Sequence, residues 1–100
     1  MSKKKSKQPV SQEPVGRYPV FDEQFQIDLG WWYKTDKSKV RKIFDLVSDT
    51  MAHPFDGLGK PEPLKHLDAD IWSRRIDLEN RLVYKVRHDR IDFLQARYHY

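Results

Sequence analysis

The sequence has 100 residues, which is enough for one small domain with a single hydrophobic core. Its 38% apolar and 13% aromatic residues argue against a disordered chain, and the absence of Cys excludes disulfides and thiolate metal sites. Nineteen Lys and Arg oppose fifteen Asp and Glu, and the net charge of +4 favours polyanionic partners such as nucleic acid. No apolar stretch reaches the ~20 residues that a membrane span needs, so we expect a soluble cytoplasmic protein without membrane contact.

The first 16 residues, MSKKKSKQPVSQEPVG, are polar and basic and show no apolar periodicity. Such a segment buries too little surface to offset the entropy lost on ordering. We therefore predict a flexible basic tail over residues 1–16 and one folded domain over residues 17–100. The tail is either a solvated leader or an arm that adds electrostatic affinity for RNA.

A strand and two amphipathic helices are predicted next. The run RYPVF reads as a strand, and Pro19 places it at an edge because proline lacks the N–H that a ladder needs. One helix begins after Asp22, and a second begins after a capping residue at Thr35 or Asp36. The apolar residues at helical spacing predict the buried faces: Phe25, Leu29, Trp32 and Tyr33 in the first helix, and Val40, Ile43, Phe44, Val47 and Met51 in the second.

After a connection rich in Pro and Gly, HPFDGLGKPEP, the apolar spacing changes to that of strands. The runs LKHL, IWSRRIDL, RLVYKV and RIDFLQARYHY are separated by turn candidates at residues 68–70, 79–80 and 88–90. The order strand, helix, helix and then three or four strands predicts an α+β fold with an antiparallel meander and both helices on one sheet face. Alternation gives the other face Arg, Lys, His and Tyr, while Trp72 and Tyr98 are predicted to pack in the core.

The residues alone leave several roles open. Arg75 and Arg81 flank the turn at residues 77–80, and a one-residue change of hairpin register decides whether they share a face of the sheet. Both arginines could be ordinary cross-strand charges. Glu62 could belong to a rigid surface loop between two prolines, and His99 could lie in a fraying end.

From Arg17 to the C-terminus the sequence resembles the YoeB/Txe toxins, RelE-like ribosome-dependent mRNA endonucleases of type II toxin–antitoxin systems. Four separated segments carry the resemblance in the order and spacing of that family: PFDGLGKPEPLKH, WSRRI, RLVYKV and RYHY. It implies a RelE-like α+β fold in the order β-α-α-β-β-β. It also implies the ribosome with its mRNA and a cognate antitoxin of the YefM/Axe type as partners, and such toxins often form homodimers.

The resemblance further implies an active site, because Glu62 falls on the family's proposed general base, Arg81 on its phosphate ligand and His99 on its proposed general acid. These groups suit cleavage of RNA by its own 2′-OH, which gives a 2′,3′-cyclic phosphate and a free 5′-OH. A carboxylate accepts the 2′-OH proton, an imidazole with a reference pKa of about 6.5 protonates the leaving oxygen, and a guanidinium binds the phosphate.

Three more residues fall on family positions in the cleft: Tyr100 shapes the substrate site, and Lys65 and Arg75 match basic residues that contact RNA. No metal or other cofactor is expected, because this reaction needs none and the four His are scattered without metal-ligand spacing. Two alternatives stay open. One is a non-catalytic RNA- or ribosome-binding module, and the other is an inactive subunit that acts with its antitoxin only as a transcriptional autorepressor.

Overall fold

The computed structural model of the chain describes residues 16–99. The predicted tail, apart from its last residue, and Tyr100 lie outside the described residues, so the inferences about them stay predictions. The described part contains these elements in chain order: β1 (Tyr18–Phe21), α1 (Glu23–Thr35), α2 (Lys37–Ala52), β2 (Glu62–Pro63), β3 (Ile71–Arg75), β4 (Arg81–Val86) and β5 (Arg90–Tyr98).

The strands of this described part form one five-stranded sheet in the order β1-β5-β4-β3-β2. Strands β2 to β5 pair antiparallel with their neighbours, whereas β1 pairs in parallel with β5 and forms one edge. Because β2 forms the opposite edge, the two helices carry the chain across the whole sheet. The predicted α+β fold, the antiparallel meander and the edge position of Pro19 are confirmed.

Both helices pack on one face of the sheet, as predicted. The ring of Phe21 lies 5.1 Å from that of Phe25 and 5.5 Å from that of Phe93, which joins β1, α1 and β5. Neither helix of residues 16–99 combines the length and apolar character of a membrane span. The buried core contains Phe25 and Trp32 from α1, Ile43, Leu46 and Val47 from α2, and Ile76, Leu82, Tyr84, Val86, Ile91, Phe93 and Ala96 from the sheet and its turn.

The predicted burial of two helix residues is wrong. Tyr33 is 59% exposed and Phe44 is 42% exposed. Each follows a buried residue directly, Trp32 in α1 and Ile43 in α2, and consecutive helical residues point about 100° apart. Since the preceding side chain takes the core position, the aromatic ring is turned toward solvent.

The predicted strand LKHL is also wrong. Strand β2 ends at Pro63, and residues 64–67 form a turn in which the Leu67 N–H donates to the Leu64 carbonyl at 3.0 Å. Pro61 and Pro63 explain the short strand, because prolines cannot donate to a ladder. The chain therefore leaves the sheet one residue after Glu62.

Arg74 holds the loop over residues 53–61 and is the exception to the predicted apolar face, since its fully buried side chain lies on the helix side of β3. A buried guanidinium is tolerated only when its donors are satisfied. Its five N–H groups donate to Tyr84 Oη at 3.2 Å, Asp49 Oδ2 at 2.7 Å, the Leu58 carbonyl at 3.0 Å, the Asp56 carbonyl at 2.9 Å and the His53 carbonyl.

Two further contacts fix this loop. Gly57 has a φ of +112°, and a Cβ at this position would lie only 2.1 Å from Asp49 Oδ2, so the turn accepts only glycine. The Gly59 carbonyl accepts a hydrogen bond from the Arg75 N–H at 2.6 Å. The loop that leads into β2 is thus attached to both α2 and β3.

Candidate active site

The hairpin register left open by the sequence places Arg75 directly opposite Arg81. Directly opposite residues share a sheet face, and so do residues two apart in one strand. Ser73 therefore shares this face with both arginines, and Glu62 joins them because it pairs with Ser73. This face, on the side of the sheet away from the helices, is called the open face below.

Glu62, Arg81 and Ser73 form the centre of the open face. Arg81 Nη1 donates to Ser73 Oγ at 3.1 Å and lies 3.6 Å from Glu62 Oε1. The Arg81 side chain is 8% exposed, whereas that of Glu62 is 38% exposed. The guanidinium is therefore held in place by the protein, and the carboxylate remains accessible to a bound molecule.

His99 lies at the same end of the sheet. It follows β5 directly, and its Nε2 lies 3.0 Å from Oδ1 of Asn80, the residue before Arg81. Tyr98, the preceding residue, pairs with Arg81 across β4 and β5. Glu62 contacts Arg81, the first residue of β4, and His99 contacts Asn80, the residue before it. The structure thus brings Glu62 and His99, which are 37 positions apart in sequence, to the same end of β4.

Lys65 is exposed in the turn after β2, next to His66. His66 Nε2 lies 3.3 Å from Tyr98 Oη, so this turn reaches the open face at the end of β5. The predicted core position of Tyr98 is wrong, because its pairing with Arg81 places it on the open face. Trp72 is confirmed in its predicted place, partly buried against the core.

An irregularity in β5 determines where this end of the strand lies. Val83 pairs with Gln95 and Arg81 with Tyr98, so β5 uses one residue more than β4 between these pairs. Ala96 lies inside the irregular stretch, and its backbone N–H and carbonyl form hydrogen bonds with side chains of α1. Its N–H donates to Asp28 Oδ2 and its carbonyl accepts from Trp32 Nε1, both at 2.8 Å.

The side chains that carry these contacts were not predicted. Ser73 stands two residues before Arg75 in WSRRI, and alternation could have placed it on the same face. His66 ends the segment PFDGLGKPEPLKH and Asn80 directly precedes RLVYKV, but neither residue has a chemical signature of its own. Asp28 is a buried carboxylate within an apolar helix face. It accepts a hydrogen bond from Gln24 Nε2 in the same helix, but its contact with Ala96 spans 68 positions, so no local pattern indicates that it joins α1 to β5.

The part of the chain that the structure describes shows no convergent set of three or more His, Cys, Asp or Glu side chains that could hold a metal ion. Its two imidazoles near the open face, His66 and His99, have hydrogen-bond partners in Tyr98 and Asn80. The ionisable groups that the structure brings together here include the Glu62 carboxylate, the Arg75 and Arg81 guanidinium groups, and the two imidazoles.

A family model described as the YoeB-like toxin of bacterial type II toxin–antitoxin systems matches residues 21–100. The chain belongs to the YoeB toxin family. The toxin YoeB of Escherichia coli (strain K12) is 48% identical over 81 residues, which cover 81% of this chain and 96% of that toxin. Membership confirms the resemblance noted in the sequence.

Solved structures agree in fold. The YoeB/ParE toxin from Agrobacterium tumefaciens is 42% identical, with a TM-score of 0.76 over 83% of this chain and 99% of that one. A YoeB dimer from Staphylococcus aureus is 34% identical, with a TM-score of 0.78 over 86% and 100% of the two chains. A YoeB–YefM complex from the same organism is 32% identical, with a TM-score of 0.68 over 82% and 95%. The RelE-like α+β assignment is confirmed.

Proposed function

We propose that this YoeB family toxin is a ribosome-dependent endonuclease that cleaves mRNA in the A site of the bacterial ribosome. The observation that carries the proposal is the meeting of Glu62 with Arg81 on the open face, with His99 at the same strand end. Metal-independent RNA cleavage needs a base, a fixed cation and an acid, and these three side chains supply them.

In the proposed reaction, Glu62 takes the proton of the 2′-OH as this oxygen attacks the adjacent phosphorus. Arg81 binds the phosphate oxygens, and Ser73 helps to hold the guanidinium in position. The bond from phosphorus to the 5′-oxygen breaks, and His99 gives that oxygen its proton. The products are a 2′,3′-cyclic phosphate and a 5′-OH.

The contact between Glu62 and Arg81 suggests how substrate binding prepares the base. Arg81 Nη1 and Glu62 Oε1 lie 3.6 Å apart, within the distance of an ion pair. A phosphate placed against Arg81 competes for the guanidinium, because both anions use the same N–H donors. Binding of RNA then leaves the carboxylate available to the 2′-OH.

The ribosome completes the proposed mechanism. A positioned acid or base is worth about 10²- to 10⁴-fold in rate. The remainder must come from the geometry of the bound mRNA and from charge stabilisation, so free RNA is expected to be a poor substrate. We assign Lys65 and Arg75 to RNA contacts and Tyr100 to shaping the substrate site, in the cytoplasm where ribosomes translate.

Protein partners are proposed from the solved relatives. One relative is a complex with YefM and another is a dimer. We infer that this chain is inhibited by a cognate antitoxin of the YefM/Axe type and that it forms a homodimer. The net charge of +4 would favour an acidic antitoxin segment.

Induced expression in a bacterial host, followed by mapping of mRNA ends, tests the proposal. The parent protein should arrest growth and leave cuts within codons at translated positions, whereas Glu62→Gln should bind ribosomes but cut about 10²- to 10⁴-fold more slowly. Glu79→Gln is the matched control, because Glu79 is an exposed Glu in the turn before β4. Growth arrest by Glu62→Gln at the parent rate would favour the non-catalytic binding module.

A further inference from the structure

We propose that Asn80 is a positioning residue that fixes the imidazole of His99 with Nε2 protonated, so that Nδ1 is the nitrogen that exchanges a proton with RNA. The inference rests on the proposed role of His99 as the acid and goes beyond it. It assigns a role to a residue outside the catalytic set, and it specifies one nitrogen of the imidazole.

The turn between β3 and β4 holds Asn80 firmly. Asp77 Oδ1 accepts hydrogen bonds from the Glu79 N–H at 2.9 Å, the Asn80 N–H at 2.7 Å and Asn80 Nδ2 at 3.1 Å. Lys39 Nζ of α2 lies 3.7 Å from Asp77 Oδ2. Burial alone would raise the pKa of Asp77, but these N–H donors and the Lys39 charge outweigh it and hold the pKa below its ordinary value.

The Asp77 carboxylate determines the orientation of the Asn80 side-chain amide. A carboxylate only accepts hydrogen bonds, so the NH₂ group of Asn80 must face it. A rotated amide would place its oxygen against the charged carboxylate, which is repulsive. The Oδ1 atom of Asn80 is therefore the atom that faces His99 Nε2 at 3.0 Å.

This orientation assigns the proton on His99. Because the facing atom of Asn80 is an acceptor, Nε2 must carry hydrogen to form the bond. In the imidazolium both nitrogens carry hydrogen, and loss of the Nδ1 proton leaves the bond to Asn80 intact. Loss of the Nε2 proton would instead bring two acceptor lone pairs within 3.0 Å of each other.

The proton therefore passes from Nδ1 of His99 to the 5′-oxygen as the bond from that oxygen to phosphorus breaks. The neutral histidine that results has its remaining proton on Nε2 and stays bonded to Asn80. The ring thus keeps its orientation through the reaction, which lowers the reorganisation that catalysis requires.

A substrate with a sulfur leaving atom tests this proposal. The measurement is single-turnover cleavage on programmed ribosomes, with mRNA that has either oxygen or sulfur at the 5′ position of the cut. A thiol has a pKa of about 8.5, so a thiolate leaves without an acid. With oxygen, Asn80→Ala should cut about 10- to 100-fold more slowly, as expected for a lost hydrogen bond to a charged group.

With sulfur, Asn80→Ala and His99→Gln should both approach the parent rate, and the double variant should be no slower than His99→Gln with either substrate. Glu79→Ala, in the same turn, should match the parent throughout. Two results overturn the role of Asn80 and leave the proposed function standing. One is that Asn80→Ala cuts the sulfur substrate slowly while His99→Gln does not, and the other is that Asn80→Ala cuts the oxygen substrate at the parent rate. A His99→Gln variant without a defect overturns the acid role and this inference with it.

Nitrogen NMR of the His99 imidazole gives an independent readout that needs no substrate. The protein is labelled with ¹⁵N-histidine and measured at a pH where the His99 ring is neutral. The Nε2 atom should then show the chemical shift of a protonated nitrogen, and Nδ1 that of an unprotonated nitrogen. The Nε2 signal should change in Asn80→Ala but not in Glu79→Ala. Protonation on Nδ1 in the neutral parent overturns the proposal.

Discussion

Arg75 and Arg81 stand directly opposite each other in the β3–β4 ladder, with both side chains on the open face. Like charges in this position repel. Arg81 is compensated by Glu62, whereas Arg75 Nε is buried without a hydrogen-bond partner among residues 16–99. An anion bound between the two guanidinium groups would reduce this repulsion, as the proposed binding of a phosphate on this face requires.

Replacing Arg75 should therefore separate stability from RNA binding. In Arg75→Ala the free energy of unfolding should change by less than about 1 kcal/mol, because a repulsive contact is removed along with some packing. Ribosome binding should weaken. The slope of the logarithm of affinity against the logarithm of salt concentration should fall by about one, the amount expected for one lost phosphate contact. The check is to measure affinity at several salt concentrations, and an unchanged slope would remove Arg75 from the RNA contacts.

The Arg74 network predicts a large effect from a change that keeps the charge. Lys has three donors in place of five, so Arg74→Lys leaves acceptors in the buried loop without donors. We expect a loss of about 2 to 4 kcal/mol in the free energy of unfolding. Arg41→Lys is the matched control, since the Arg41 side chain is 85% exposed. Equal denaturation midpoints for the two variants would contradict the assigned role.

The same network predicts a stability change with pH. Burial alone would raise the pKa of Asp49, but the Leu58 N–H and the Arg74 guanidinium outweigh it and lower the pKa. Because the folded pKa is below the unfolded value of about 3.9, this stabilisation is complete above that pH and is lost as the pH falls through the folded pKa. Asp49→Asn should be less stable at neutral pH and less sensitive to acid than the parent. Parallel pH profiles would contradict this link.

Asp28 predicts a connection between α1 and the end of β5. Asp28→Ala leaves the buried Ala96 N–H without its acceptor and should cost about 1 to 3 kcal/mol. Amide exchange at Ala96 should accelerate, and the cleavage rate should fall because the strand end before His99 loses its support. Asp45→Ala, at an exposed position of α2, serves as the control. Unchanged exchange at Ala96 would show that the irregular stretch of β5 does not depend on α1.

Features that depend only on residues close together in the sequence could be predicted from it. Asp36 was one of two predicted caps, and its carboxylate does accept the Ser38 N–H at 3.1 Å. The relation between Arg75 and Arg81 could not be predicted, since it depends on the length of one turn. Likewise, the irregular pairing that turns Tyr98 to the open face is stabilised by Asp28 and Trp32, which are far away in sequence.

Cleavage of a 2′-deoxy substrate tests the central claim most directly. Purified protein is mixed with ribosomes that hold either ordinary mRNA in the A site or the same mRNA with one 2′-deoxy nucleotide at the cut. The proposed mechanism predicts that ordinary mRNA gives a 2′,3′-cyclic phosphate and a 5′-OH, that Glu62→Gln gives little product, and that the 2′-deoxy position is not cut. Cleavage at the 2′-deoxy position, or a parent rate with Glu62→Gln, would contradict attack by the 2′-OH with Glu62 as the base.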